Sequence, residues 1–155
     1  MAIRQILQLG NPVLRRVSKK VDKIDEPTLN LIQDMKDTLY STTGIGLAAP
    51  QIGVLKKIIL IDLREGDGPI ILINPVIVAK VGQEESVEGC LSYVGHEGKL
   101  VRPKKVTVTG LNVKGEKVEY TADGLLAKAF CHEIDHLEGI MYVDRAKKVY
   151  KLEEE

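Results

Sequence analysis

The sequence predicts an α+β fold: antiparallel β-sheets packed around a C-terminal metal-binding helix, with a further helix near the N-terminus. Three features of the chain carry that expectation. Apolar residues recur at helical spacing near both ends, Val- and Ile-rich runs bounded by Gly, Pro or Asp fill the middle, and His132-Glu133-Ile134-Asp135-His136 lies inside the last helical pattern. A helix, a run of strands and a closing helix form the order of an α+β domain rather than of alternating βαβ units. The whole of residues 1–155 is expected to be a single catalytic domain, long enough to bury its own core.

Asn11-Pro12 reads as an N-cap followed by proline at the first helical position, opening a short turn through Arg16. Asp25-Glu26-Pro27 opens a longer helix ending before Gly44, with Leu31, Ile32, Met35 and Leu39 as its apolar stripe. Gly44 to Gly53 reads as a Gly-rich connecting loop, without the Lys or the spacing of a phosphate-binding loop. Strands are expected over 58–63, 70–73, 76–81, 106–111 and 117–121, the last two joined by a hairpin turn at Val113-Lys114-Gly115-Glu116. Asp123 then caps a final helix bearing Leu126, Ala129, Phe130 and Leu137, and Gly139 stops it.

Lys plus Arg number 22 and Asp plus Glu number 22, so zero net charge gives no electrostatic case for nucleic acid. The absence of Trp and a single Phe argue against base stacking as well. Two cysteines are too few for a disulfide-stapled secreted domain, and no long apolar run suggests a signal peptide or a membrane partner. A reducing cytosol is the expected compartment.

Two of the chain's three histidines fall in the helical motif. Residues four apart share a helix face, so His132 and His136 can grip one metal ion. Glu133 beside them is placed to take a proton from metal-bound water, the pattern of metal-assisted hydrolysis. A catalytic site needs a further ligand. One large metallopeptidase family continues its motif through Gly to a third His; Gly139 fits, but Tyr142 stands where that His would fall. A second class uses a Glu further downstream, where this chain offers only the acidic run 153–155, which reads as a solvated tail. Cys90, within Glu88-Gly89-Cys90-Leu91-Ser92, is the better ligand, since thiolate suits a borderline or soft divalent ion. Cys131 points about 100° away from its neighbour His132 on the helix and reads as buried packing. A metallopeptidase cutting internal peptide bonds and a structural metal site both remain alternatives here.

Three blocks together, Gly44 to Gln51, Glu88 to Ser92 and Cys131 to Leu137, resemble in kind and order the motifs of the peptide deformylases. The resemblance runs over nearly the whole chain. It implies a hydrolase that removes the formyl group from the formyl-methionine of newly synthesised proteins, releasing formate in N-terminal methionine processing. By that resemblance Cys90, His132 and His136 hold the metal, Fe(II) in most members, with Zn(II), Ni(II) or Co(II) compatible. Hydroxide on the metal attacks the formyl carbon with Glu133 as general base and then acid, while the Gln51 side-chain amide and the Leu91 backbone N–H face the developing charge. The peptide backbone lies as an added strand against Ile45 and Gly46. Arg102 is expected either to hold Glu88 or Asp135 behind the metal site or to be a solvated surface charge. The implied partners are N-formylmethionyl nascent polypeptides, with transient ribosome association, in the bacterial cytoplasm. Two departures mark this chain. Cys131 replaces a common Gln, and Tyr93-Val94-Gly95-His96-Glu97-Gly98 replaces a more aliphatic segment with proline, with His96 reading as a polar loop residue.

Overall fold

The computed structural model describes residues 2–153; Glu154 and Glu155 of the acidic tail lie outside the described residues. Helix α1 (Glu26–Tyr40) and helix α2 (Gly124–Leu137) enclose an antiparallel sheet, and a short helix α3 (Tyr142–Arg145) follows α2. The strands are β1 (Gly46–Ala48), β2 (Ile58–Ile61), β3 (Ile70–Val81), β4 (Glu84–Cys90), β5 (Tyr93–Arg102), β6 (Lys105–Leu111), β7 (Lys117–Asp123) and β8 (Lys148–Lys151). They form a five-stranded sheet ordered β1-β2-β3-β6-β7 and a three-stranded sheet ordered β4-β5-β8.

Strand β2 shows why the large sheet sits where it does. All four of its residues are buried. Ile58 and Leu60 pack with Leu31, Met35 and Leu39 of α1, whereas Ile59 and Ile61 pack with Ala127 and Phe130 of α2. Side chains alternate across a strand, so a strand covered on both faces must be apolar throughout. α1 begins as its sequence indicates, with the Asp25 carboxylate accepting from Thr28 N at 3.1 Å. Asp123 occupies the corresponding position before α2, but its side chain makes no capping bond. At the far end of α2, Gly139 takes a φ of 75°, and a Cβ there would lie 2.5 Å from Arg15 O.

The two runs expected at 70–73 and 76–81 are one strand, β3, with a shift in register between Ile73 and Val76. Asn74 takes a φ of 54°. Its side chain bonds Val21 N at 2.8 Å and Val21 O at 2.9 Å, fastening the bulge to the N-terminal segment. Pro75, which cannot donate to the ladder, sits in that bulge. The expected connecting loop at Gly44 to Gly53 is in fact strand β1 followed by a buried 3₁₀ turn at Ala49–Ile52. The three-stranded sheet has no counterpart among the expected strands, and the Cys90 segment ends β4.

Candidate metal centre

Helix α2 sets His132 and His136 one turn apart on a buried face. Cys90 arrives from the end of β4, at the tight connection where it pairs with Tyr93 of β5. Cys90 Sγ lies 3.4 Å from His136 Nε2. One ligand atom from each of Cys90, His132 and His136 falls within 4.8 Å of the others. One sulfur and two imidazole nitrogens suit a borderline divalent ion, and three ligands leave a tetrahedral ion one open position. The residues present therefore fit a single catalytic metal.

Glu88 lies two residues before Cys90 and fixes the orientation of His132. Its Oε1 accepts from His132 Nδ1 at 2.9 Å and from Arg102 Nη2 at 2.8 Å. Its Oε2 accepts from Arg102 Nε at 2.9 Å and from the Ser86 hydroxyl at 2.6 Å. An ionised carboxylate only accepts, so the His132 proton sits on Nδ1 and Nε2 is left for a ligand. Arg102 is buried and also donates from Nη1 to Asp135 Oδ2 at 2.7 Å; Arg145 grips the same carboxylate from the surface. Of the two expectations for Arg102, the geometry is that of the held side chain, since it binds Glu88 and Asp135 together.

Burial opposes a charge on Glu88, but the hydrogen bonds from Arg102 and His132 outweigh it and hold the carboxyl well below its ordinary value. Burial likewise opposes a charge on His132, yet Cys90, Glu133 and Glu88 hold its ring well above the usual range. Burial and the neighbouring His132 push His136 well below that range. Burial raises the Glu133 carboxyl to about 7, against the pull of His132. Among the described residues, Glu133 Oε1 has no hydrogen-bond partner. A buried carboxyl with one oxygen unpartnered among the described residues, beside three metal-ligating atoms, is matched to moving a proton.

Gln51 is also buried and firmly set. Its Oε1 accepts from Ala48 N at 2.9 Å, which turns Nε2 towards Ser92 Oγ at 3.0 Å and Cys90 Sγ at 3.6 Å. Ile45, Gly46, Gln51, Leu91 and Glu133 all line one cavity of about 630 Å³ that reaches the metal group. Edge strands β1 and β4, from different sheets, contribute residues to it. Gly46 is small for a reason the sequence does not display: a Cβ there would lie 2.4 Å from Glu133 Oε2.

Several lining residues escape a motif-based reading. Leu125, Lys128 and Ala129 precede His132 by seven, four and three positions, so extending the helical face backwards from the metal histidine would have found them. Ser86 carries no such signal. Tyr142, standing where a protease would place a third His, is buried and stacks on His132 with ring centroids 6.1 Å apart. His96 is a half-buried strand residue rather than a loop residue, stacked on Tyr93 at 4.0 Å and facing the cavity. Cys131 is buried, is not part of the metal group, and burial raises its thiol pKa.

The profile of the family described as Polypeptide deformylase matches residues 3–152. Peptide deformylase 2 of Clostridium perfringens is 52% identical, the alignment covering 99% of each chain. The peptide deformylase of Carboxydothermus hydrogenoformans is 47% identical over 97% of this chain and 98% of its own. Among solved structures, a peptide deformylase from Legionella pneumophila superimposes with a TM-score of 0.91 at 45% identity, covering 94% of this chain and 87% of that one. The Thermotoga maritima enzyme gives the same TM-score of 0.91 at 38% identity, over 96% of this chain and 100% of that one.

Proposed function

The chain belongs to the polypeptide deformylase family, a hydrolase acting on formyl-methionyl peptides, and from that premise we propose how its residues divide the reaction. Cys90, His132 and His136 hold one divalent ion, which we take to be Fe(II), with Zn(II), Ni(II) and Co(II) able to occupy the same donors. Bound there, the ion supplies Lewis-acid chemistry, polarising the formyl carbonyl and making water acidic enough to attack near neutral pH. Glu133 takes the proton from the attacking water. It returns that proton to the methionine nitrogen as the carbon–nitrogen bond breaks, leaving formate and a free amine. Gln51 Nε2 and the Leu91 backbone N–H face the negative charge that gathers on the formyl oxygen. Ile45, just before the edge strand β1, and Gly46, its first residue, receive the peptide as an added strand with β4 opposite. Glu88 keeps the His132 ring in place, and Arg102 with Asp135 keeps Glu88 in place.

The observation that carries this reading is the convergence of three ligand atoms within 4.8 Å, beside a buried Glu133 in a cavity large enough for a peptide end. We place the protein in the bacterial cytoplasm, with transient ribosome contact as its route to formylated nascent chains. No described helix is long and apolar enough to cross a membrane. The metallopeptidase alternative finds no support: among the described residues the metal group is closed by Cys90, not by a third His. The deciding assay loads anaerobically purified protein with Fe(II), Ni(II) or Co(II) and measures formate released from formyl-Met-Ala. A folded, metal-loaded protein that releases none, or that cleaves internal peptide bonds instead, overturns the assignment.

A further inference from the structure

The loop that leads from α1 into β1 is gripped by one side chain from outside the cavity. Arg64 Nη2 donates to the carbonyl oxygens of Gly44 at 2.9 Å, Thr42 at 3.2 Å and Leu39 at 3.3 Å. Arg64 is exposed, lies in the turn after β2, and takes a φ of 63°, a conformation that side chains other than glycine seldom adopt. Asp62 supports that turn. Its carboxylate accepts from Arg64 N at 2.8 Å and from the Tyr40 hydroxyl at 2.7 Å, while its backbone N–H donates to Ile45 O at 2.7 Å. The Arg64 guanidinium also sits over the Tyr40 ring, 5.0 Å from its centroid. The end of α1, the turn after β2 and the loop before β1 are thereby fastened at one point. Thr43, Gly44, Ile45 and Gly46 line the cavity on the other side of that loop.

We propose that Arg64 is a positioning residue for the substrate backbone: its grip on three carbonyls sets the course of residues 42–44, and so the edge that meets the peptide beyond the formyl-methionine. This rests on the deformylase reading, which places the formyl group at the metal ligands and the peptide against Ile45 and Gly46. Gly46 lies against the Glu133 carboxylate, so the loop before it runs away from the reacting end of the cavity. Gly44, two residues earlier, is at most about 7 Å of chain from Gly46, within reach of the second and third substrate residues. A Cβ on Gly44 would lie 2.9 Å from Leu91 Cδ1, so the loop backbone is packed tightly where Arg64 holds it. The left-handed backbone at Arg64 is then strain retained for the grip. Glycine would adopt that φ freely but has nothing with which to reach the carbonyls.

The test compares formyl-Met-amide with formyl-Met-Ala-Ser in Ni(II)-loaded wild type, Arg64→Gly and Arg64→Asn. Both replacements tolerate a positive φ, and neither carries the guanidinium. Wild type is expected to favour the tripeptide by about fivefold or more in kcat/KM, the worth of one added backbone hydrogen bond. Each variant should bring the two substrates within about twofold, through a higher KM for the tripeptide rather than a lower kcat. Amide exchange across residues 42–46 of the loaded protein should quicken in both variants. A merely structural arginine would lower the melting temperature and leave the substrate ratio alone. A tripeptide advantage absent from wild type, or unchanged in either variant, overturns the proposal. So does a lost advantage with unchanged exchange across 42–46, since the loop would then not be its cause. No formate from either substrate with wild type overturns the deformylase reading itself.

Discussion

Gly46 has no side chain because Glu133 occupies the space one would need. The clash distance of 2.4 Å to Oε2 is far inside contact, so Gly46→Ala must displace the carboxylate that moves the proton. A misplacement near 1 Å can cost on the order of a hundredfold in rate, and that is the loss expected in kcat/KM, with metal content unchanged. Glu133→Gln should remove on the order of a hundredfold to ten-thousandfold of kcat while retaining the metal; comparable activity in that variant would contradict its proton-transfer role. The same residue gives a pH signature in the metal-free protein. Its carboxyl is raised from 4.5 to about 7, so the folded state holds a proton that the unfolded state has lost. The stability that follows is complete below 4.5 and is lost as pH climbs through about 7. Gln at that position does not titrate. The melting temperature of Glu133→Gln, relative to wild type without metal, should therefore gain between pH 5 and pH 8; a pH-independent difference would refute the burial effect.

At the scale of elements, α2 and β4 reach the metal from different parts of the chain, and Arg102 from β5 binds them together. It bridges Glu88 on β4 and Asp135 on α2 while itself only 3% exposed. Removing one partner of a buried ion pair leaves uncompensated charge, at a cost of about 3–5 kcal/mol. Arg102→Leu is accordingly expected to lose that much stability in denaturant titration. It should also weaken metal binding by roughly tenfold to a hundredfold, because Glu88 no longer holds His132. Metal affinity equal to wild type would show that Glu88 orients the ring without Arg102. Helix α2 was legible in the sequence, since Leu126, Ala129, Phe130 and Leu137 and the two histidines recur at helical spacing, although the side chain of Asp123 does not cap it. Strands β4, β5 and β8 were not. Glu84 to Glu88 carries four carboxylates or hydroxyls among five residues, and β5 contains Gly95 and Gly98, compositions depleted in strands. Their ladder is fixed by pairing Glu84 with Arg102 and His96 with Lys151, long-range partners that no local pattern announces. The metal cysteine was therefore readable as a ligand before the strand that carries it was readable at all.

Across the whole molecule, the metal site joins the two sheets. Cys90 belongs to the three-stranded sheet, His132 and His136 to the helix packed on the five-stranded one. A ligand that binds only when both are docked stabilises the native state by mass action. Metal at a hundred times its dissociation constant adds about 2.7 kcal/mol. For a domain of 155 residues that corresponds to a rise of roughly 5–10 °C in melting temperature. Cys90→Ser should abolish most of this shift while leaving the metal-free melting temperature near that of wild type, because Cys90 makes no large packing contribution as a half-buried side chain. His132→Ala should differ: it also takes the Nδ1 donor away from the buried Glu88 carboxylate, leaving it to Arg102 and Ser86, and so lowers the melting temperature with or without metal. Calorimetry of both variants across a Ni(II) or Co(II) titration separates a ligand that only binds from one that also holds the two sheets' junction together. A metal-induced shift that survives Cys90→Ser would mean that the ion does not draw its ligand from β4.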